Sequence, residues 1–177
     1  PEIGVAICMG DRKDALEEAT QILSKYREKL ANSISWITQN LEQKLKEKNY
    51  VRYFHGEDII EDNIIGTVTS LLLSSKKISN DKVVVGFAYS SEYPSMVKLS
   101  ARTTQTLVNR GVDLGKALKL AAKKLGTEQL AGGHNIAAGG QIPRNMEEEF
   151  INHLDNILKE MLEPEQHEHI KQSSANS

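Results

Sequence analysis

Lys82-Val83-Val84-Val85-Gly86-Phe87-Ala88-Tyr89 is followed by Ser90-Ser91-Glu92-Tyr93-Pro94 and then by Ser95-Met96-Val97-Lys98-Leu99-Ser100-Ala101. The first run is rich in β-branched and aromatic residues and predicts a strand, and the Pro-bearing segment after it predicts a turn. The third predicts a second strand, so the pair resembles a hairpin. Upstream, Val51 to His55 predicts another strand, and Asp62 stands where it can cap a helix through Ile64, Ile65, Val68, Leu71 and Leu72. Downstream, Asp113 is placed to cap a helix carrying Leu114, Ala117, Leu118, Ala121 and Leu125, which Gly126 ends. Asn145, with Glu148 at the third position, predicts the start of a last helix through Phe150, Leu154, Leu158 and Leu162. Strands and helices alternate, which makes the fold class α/β (α+β), a mixed β-sheet flanked by helices.

Ahead of this domain, Ala15, Ala19, Ile22, Leu23, Tyr26, Leu30, Ile34, Ile37, Leu41 and Leu45 recur at steps of three and four. They predict a long amphipathic connector helix, about 55 Å if unbroken from Arg12 to Lys48. Asp11 with Asp14 has the look of its N-terminal cap, and Asn32, Ser33 and Ser35 are its weakest point. Ile3 to Met9 is a short apolar run ended by Gly10 and predicts a buried strand. The expected organisation is residues 1–10 as the end of a truncated domain, 11–50 as the connector, 51–162 as the main domain and 163–177 as a polar, disordered tail.

The chain of 177 residues has 39% hydrophobic, 26% charged and only 5% aromatic residues, a balance for a real core with charged helices. Its single cysteine, Cys8, cannot form an internal disulfide, which suits a reducing compartment, and cytoplasm is the default. No apolar stretch has the length of a membrane span, and the N-terminus lacks a signal-peptide pattern. The net charge of −2 gives no overall basic footprint. The distribution is uneven, however: between Pro94 and Arg144 eight basic residues face two acidic ones. Lys116, Lys119, Lys123 and Lys124 are readable either as part of an anion-binding surface or as a solvated helix face.

Ala131-Gly132-Gly133-His134-Asn135-Ile136-Ala137-Ala138-Gly139-Gly140 puts four glycines and three alanines around one histidine. Glycine allows close approach of a ligand to backbone N–H groups, and His134 adds a donor that switches with pH. A tight packing turn in which His134 satisfies a backbone carbonyl explains the same composition. Arg102, at the end of a predicted strand, suits a two-pronged phosphate contact or a surface salt bridge. Ser100 suits a phosphate contact or a strand cap equally.

Gly132 to Gly139 resembles the Gly-Gly-His-x-x-Ala-Ala-Gly signature of the DHH-associated C-terminal domain, found in RecJ-type exonucleases, oligonucleotide and cyclic-dinucleotide phosphodiesterases, and alanyl-tRNA synthetases. Lys98-Leu99-Ser100-Ala101-Arg102-Thr103 resembles the Ser-x-Arg element of RecJ proteins. Asn63-Ile64-Ile65-Gly66-Thr67-Val68 and Asp113-Leu114-Gly115-Lys116-Ala117-Leu118 resemble two of their helix starts. The wording is similar to archaeal RecJ-like proteins, whereas Glu61 and Asp62 replace the His-Pro pair common in bacterial ones.

The resemblance implies a substrate-binding domain that grips single-stranded DNA or RNA through Ser100, Arg102, Gly132, Gly133, His134, Ala137, Ala138 and Gly139. It implies no metal site in these residues, with manganese or magnesium held by a separate N-terminal DHH domain whose Asp-His-His motif does not occur here. It also implies partnership with that domain and, by analogy with some archaeal members, with GINS-type replication proteins. Three alternatives stay open: a replication-complex interaction protein, a cyclic-dinucleotide or oligonucleotide phosphodiesterase domain, and a domain of the kind appended to tRNA synthetases.

Overall fold

The computed structural model describes residues 2–11 and 13–164. The chain divides into two compact units between Leu41 and Glu42.

The first unit is helical. Helix α1 (Glu2–Cys8) packs on α2 (Asp14–Gln39) through a turn that uses Gly10 at φ 103°. The strand expected at Ile3 to Met9 is therefore a helix. Short apolar runs fit either element, and Val5 at 61% and Met9 at 84% exposure are not the buried residues that a core strand requires. Asp11 does not serve as the cap residue itself; Lys13 holds that position and donates its N–H to Asp11 Oδ1 at 3.1 Å. The expected weak point at Asn32 to Ser35 holds, because Ser33 Oγ donates to the Lys29 carbonyl within the helix at 2.8 Å. The helix stops short of Lys48: Asn40 turns its N–H onto the Ile37 carbonyl, and Leu41–Lys44 forms a separate turn, α3.

The second unit is built on a mixed sheet of β1 (Lys46–Glu47), β2 (Val51–His55), β3 (Val83–Tyr89), β4 (Met96–Arg102), β5 (Ala131–Gly133) and β6 (Ala137–Pro143). Their order is β1-β2-β3-β4-β6-β5, with β2 and β3 parallel and every other pair antiparallel. The crossover between the parallel strands is α4 (Ile65–Ser74). Strand β1 falls inside the stretch expected to be helical. It is held by Arg52, a buried cation that donates to Glu47 at 2.8 Å, to Asp81 at 2.7 Å and to the Ser79 carbonyl at 2.9 Å.

Period-two alternation sorts each strand's residues between two faces. Val51, Tyr53, Val83, Val85, Phe87, Val97, Leu99 and Ala101 join the core formed with α6 (Leu114–Lys124) and α7 (Glu147–Leu162). On the opposite face α4 packs on β3 and β4, and Gly86 lets it close: a Cβ there would lie 2.7 Å from Phe54 and 3.1 Å from Ile65. Between β4 and α6, a short helix α5 (Gln105–Asn109) is capped by Thr104. Asp113 caps α6 as expected, accepting from Lys116 N–H at 3.0 Å, and Gly126 follows its end at φ 70°.

Two expected caps are not caps. Asn145 sits outside α7 with φ 71°, in the left-handed region that an N-terminal cap does not use. Glu148 is taken instead by the Tyr53 hydroxyl, which donates to it at 2.8 Å. Asp62 leaves the start of α4 unattended, because its carboxylate accepts from Ser91 N–H and Oγ, each at 3.1 Å. The tail expected to be disordered lies, from residue 165 onward, outside the described residues.

Candidate nucleic-acid interface

Register places the second unit's open groove. Lys98 pairs with Gln141, Ser100 with Gly139, Arg102 with Ala137, and Gly139 in turn with Gly132. Directly paired residues share a face. These residues therefore lie opposite Val97, Leu99 and Ala101 of the core, on the side where α4 covers only part of the sheet. Beyond α4 the floor is Gly132, Ala137 and Gly139, residues too small to fill it. The result is a groove of about 800 Å³, lined also by Asp62, Asn63, Gly66, Leu130 and Ala138.

Arg102 stands at its wall. Nε donates to Ser70 Oγ at 2.9 Å; Nη1 donates to Ser100 Oγ at 2.7 Å, to the Ala101 carbonyl at 2.8 Å and to the Ala138 carbonyl at 3.4 Å. These four neutral acceptors fix the plane of the guanidinium. No carboxylate pairs with it among the described residues, and Nη2 makes no hydrogen bond there. Burial pushes its pKa below the ordinary arginine value, the sign of a cation with too little water and no counter-anion. Nη2 lies against α4, 2.8 Å from the point where a Cβ on Gly66 would stand.

That part of α4 is its first turn. Ile64 occupies the cap position with no side-chain hydrogen bond to the helix, and the Gly66 N–H takes no hydrogen bond among the described residues. An uncapped helix start carries partial positive charge and orphan donors. Next to an unneutralised guanidinium, its chemistry suits an anion with several oxygens. Lys98 lines the same groove and Asp62 opposes it, with its carboxylate already engaged by Ser91.

The structure thus brings seven of the expected residues, Ser100, Arg102, Gly132, Gly133, Ala137, Ala138 and Gly139, to one groove. It does not bring His134 there. His134 is exposed at the head of the β5–β6 hairpin; its N–H donates to the Ala137 carbonyl at 2.8 Å and its carbonyl accepts from Gly115 N–H at 3.1 Å. Two glycines are spent on packing: a Cβ on Gly115 would stand 2.5 Å from the Gly133 carbonyl oxygen, and Gly133 has φ 144°. Ser70, Gly66 and Gln141 belong to the site without having been expected. Ser70 follows Gly66 by one helical turn and contacts Arg102 across 32 positions, a relation no local pattern carries.

A second cavity of about 380 Å³ lies beside β2 and the start of α7. There His55 Nδ1 accepts from Glu57 N–H at 2.8 Å, Nε2 lies 3.5 Å from Glu147, and burial and the Glu148 carboxylate push the Tyr53 phenol well above its ordinary pKa. Among the described residues no three His, Cys, Asp or Glu side chains are grouped to hold a metal ion. No helix among them is long and apolar enough to cross a membrane.

Residues 46–160 match the model of the DHHA1 domain. An uncharacterized protein of Methanocaldococcus jannaschii is 31% identical over 160 residues, which cover 90% of this chain and 32% of that protein. The chain thus spans about a third of this relative's length. The C-Ala domain of Aquifex aeolicus alanyl-tRNA synthetase is similar with a TM-score of 0.51 at 15% identity, covering 66% of this chain and 98% of that one. CDC45 from Entamoeba histolytica gives a TM-score of 0.51 at 10% identity, covering 71% and 27%. At these identities the structural likeness is one of fold.

Proposed function

This chain belongs to the DHHA1 domain family over residues 46–160, and from that premise we propose that its groove grips the backbone phosphate of single-stranded nucleic acid, as the substrate-binding part of a RecJ-like phosphodiesterase of the archaeal type. The observation that carries the reading is the half-buried, unneutralised Arg102 beside the uncapped start of α4. A phosphate oxygen accepts from Nη2 while another faces the Gly66 N–H, and the four acceptors behind the guanidinium keep it from turning away. Ser100 positions Arg102. Gly132, Ala137 and Gly139 leave room for the sugar and base that accompany the phosphate. Cleavage is assigned in this reading to a separate metal-bearing DHH domain, and the residues of this chain orient the substrate.

The test is an NMR titration of the isotopically labelled chain with oligothymidylate. Saturable shifts of the Arg102 Nε–H and of the Gly66, Gly132 and Gly139 amides support the reading. Shifts confined to other surfaces, with those four signals still, refute it.

A further inference from the structure

The groove has an open side. Strand β5, only Ala131–Gly133, is the last in the sheet, and its middle residue Gly132 belongs to the groove floor. Having no side chain, Gly132 raises no wall: the nearest atom to a Cβ built there is Lys119 Cε, at 3.4 Å. Lys119 belongs to α6, so the end of its aliphatic stem lies against the edge strand beside Gly132 of the groove floor. Gly115, one turn earlier, is packed on the Gly133 carbonyl, so α6 runs beside the edge strand. Lys116, Lys119 and Lys123 follow at steps of three and four, which puts them on one helix face about 10 Å long. All three are exposed, and none makes an ion pair among the described residues. Two acids stand nearby, Asp113 at the cap of α6 and Glu128 in the following turn, and with Lys124 beside the row the stretch keeps a net positive charge.

We propose that a strand seated on Arg102 leaves the groove over Gly132 and continues along the Lys116, Lys119 and Lys123 face of α6. The ligand is then a single-stranded polynucleotide of several nucleotides and not a dinucleotide. This rests on the phosphate-grip reading and adds a direction and a length to it. The repeated phosphates of a flexible strand match a row of cations that continues from a single fixed guanidinium, whereas the one bridging phosphate of a thymidine dinucleotide is already held by Arg102 and leaves none for the lysines of α6.

The experiment measures anisotropy of labelled thymidine dinucleotide and of an oligothymidylate of about eight nucleotides, within the span of a small single-strand site, across a salt series. The wild-type chain is compared with the triple variant Lys116→Gln, Lys119→Gln, Lys123→Gln and with a charge-matched control, Lys76→Gln, Lys77→Gln, Lys159→Gln. The longer ligand is expected to bind the wild type at least tenfold more tightly than the dinucleotide. In the α6 variant its log–log salt slope falls by about 2, at about 0.7 per single-strand phosphate contact, and dinucleotide binding is unchanged. The control keeps the wild-type slope. Equal affinity for the two lengths, or an equal loss in the control, overturns the path along α6 while leaving an Arg102-dependent dinucleotide site intact. If neither ligand binds the wild type, the phosphate-grip reading falls with it.

Discussion

Arg102 donates from Nη1 to Ser100 Oγ at 2.7 Å, two residues back on the same strand and therefore on the same face of the sheet. The hydroxyl that looked equally suited to phosphate or to a strand cap is a brace for the guanidinium. With Ser70 on the other side, it aims Nη2 at the start of α4.

Gly66→Ala tests that aim without touching Arg102. The added Cβ would stand 2.8 Å from Nη2 and 3.2 Å from Ser100 Oγ, so the guanidinium must move. Alanine favours a helix over glycine by up to about 1 kcal/mol. The gain offsets part of the cost of displacing the guanidinium, so the variant is expected to stay folded, by circular dichroism, and to bind oligothymidylate about tenfold more weakly, the value of one hydrogen bond to a charged group.

Gly115→Ala and Gly133→Ala act in the opposite sense, on stability. A Cβ at Gly115 would stand 2.5 Å from the Gly133 carbonyl oxygen, and one at Gly133 would stand 2.5 Å from Ala138 Cα, where backbone has to yield. Each is expected to cost roughly 2–3 kcal/mol, seen as a fall in Tm of about 4–12 °C.

How far these features are legible in the sequence depends on the range of the forces behind them. The Val83 to Tyr89 strand, the Asp113 cap and the Gly126 stop are local, and the residues themselves declare them. Ile3 to Met9 is too short for periodicity to separate strand from helix, and its surroundings decide for the helix. Asp62 and Asn145 have the chemistry of caps. One is drawn off by Ser91, distant in sequence, and the other is turned into the left-handed region. Within the site, the glycine-rich stretch and Arg102 stand out by composition. The Ser70 brace and the reach of Lys119 over Gly132 come only from the packing of separate elements.

Acid sensitivity should trace to Asp81. The Arg52 guanidinium, then the Ser79 hydroxyl, hold its carboxyl well below the usual carboxylate range. A depressed folded-state pKa stabilises above the unfolded value, near 3.9 for aspartate, and that stability is lost as pH falls through the folded-state value. Asp81→Asn is therefore expected to lower stability at pH 7 by about 1 kcal/mol or less, since the carboxylate is largely exposed. In urea melts the gap from wild type should close progressively below about pH 4. A gap that widens on acidification would contradict the assignment.

His134→Ala separates the hairpin head from the groove. Because His134 is exposed and absent from the groove lining, its removal is expected to weaken binding of oligothymidylate several-fold less than Arg102→Ala at neutral pH. Parallel anisotropy titrations of the two variants check the ranking.

The central claim is that Arg102 makes a phosphate contact, and the salt dependence of oligothymidylate binding by Arg102→Ala measures it most directly. Loss of one contact lowers the log–log slope by about 0.7 together with the affinity. That paired change, with the far-ultraviolet spectrum unaltered, is the predicted result. An Arg102→Ala protein that remains folded and binds with wild-type affinity and slope would contradict the account.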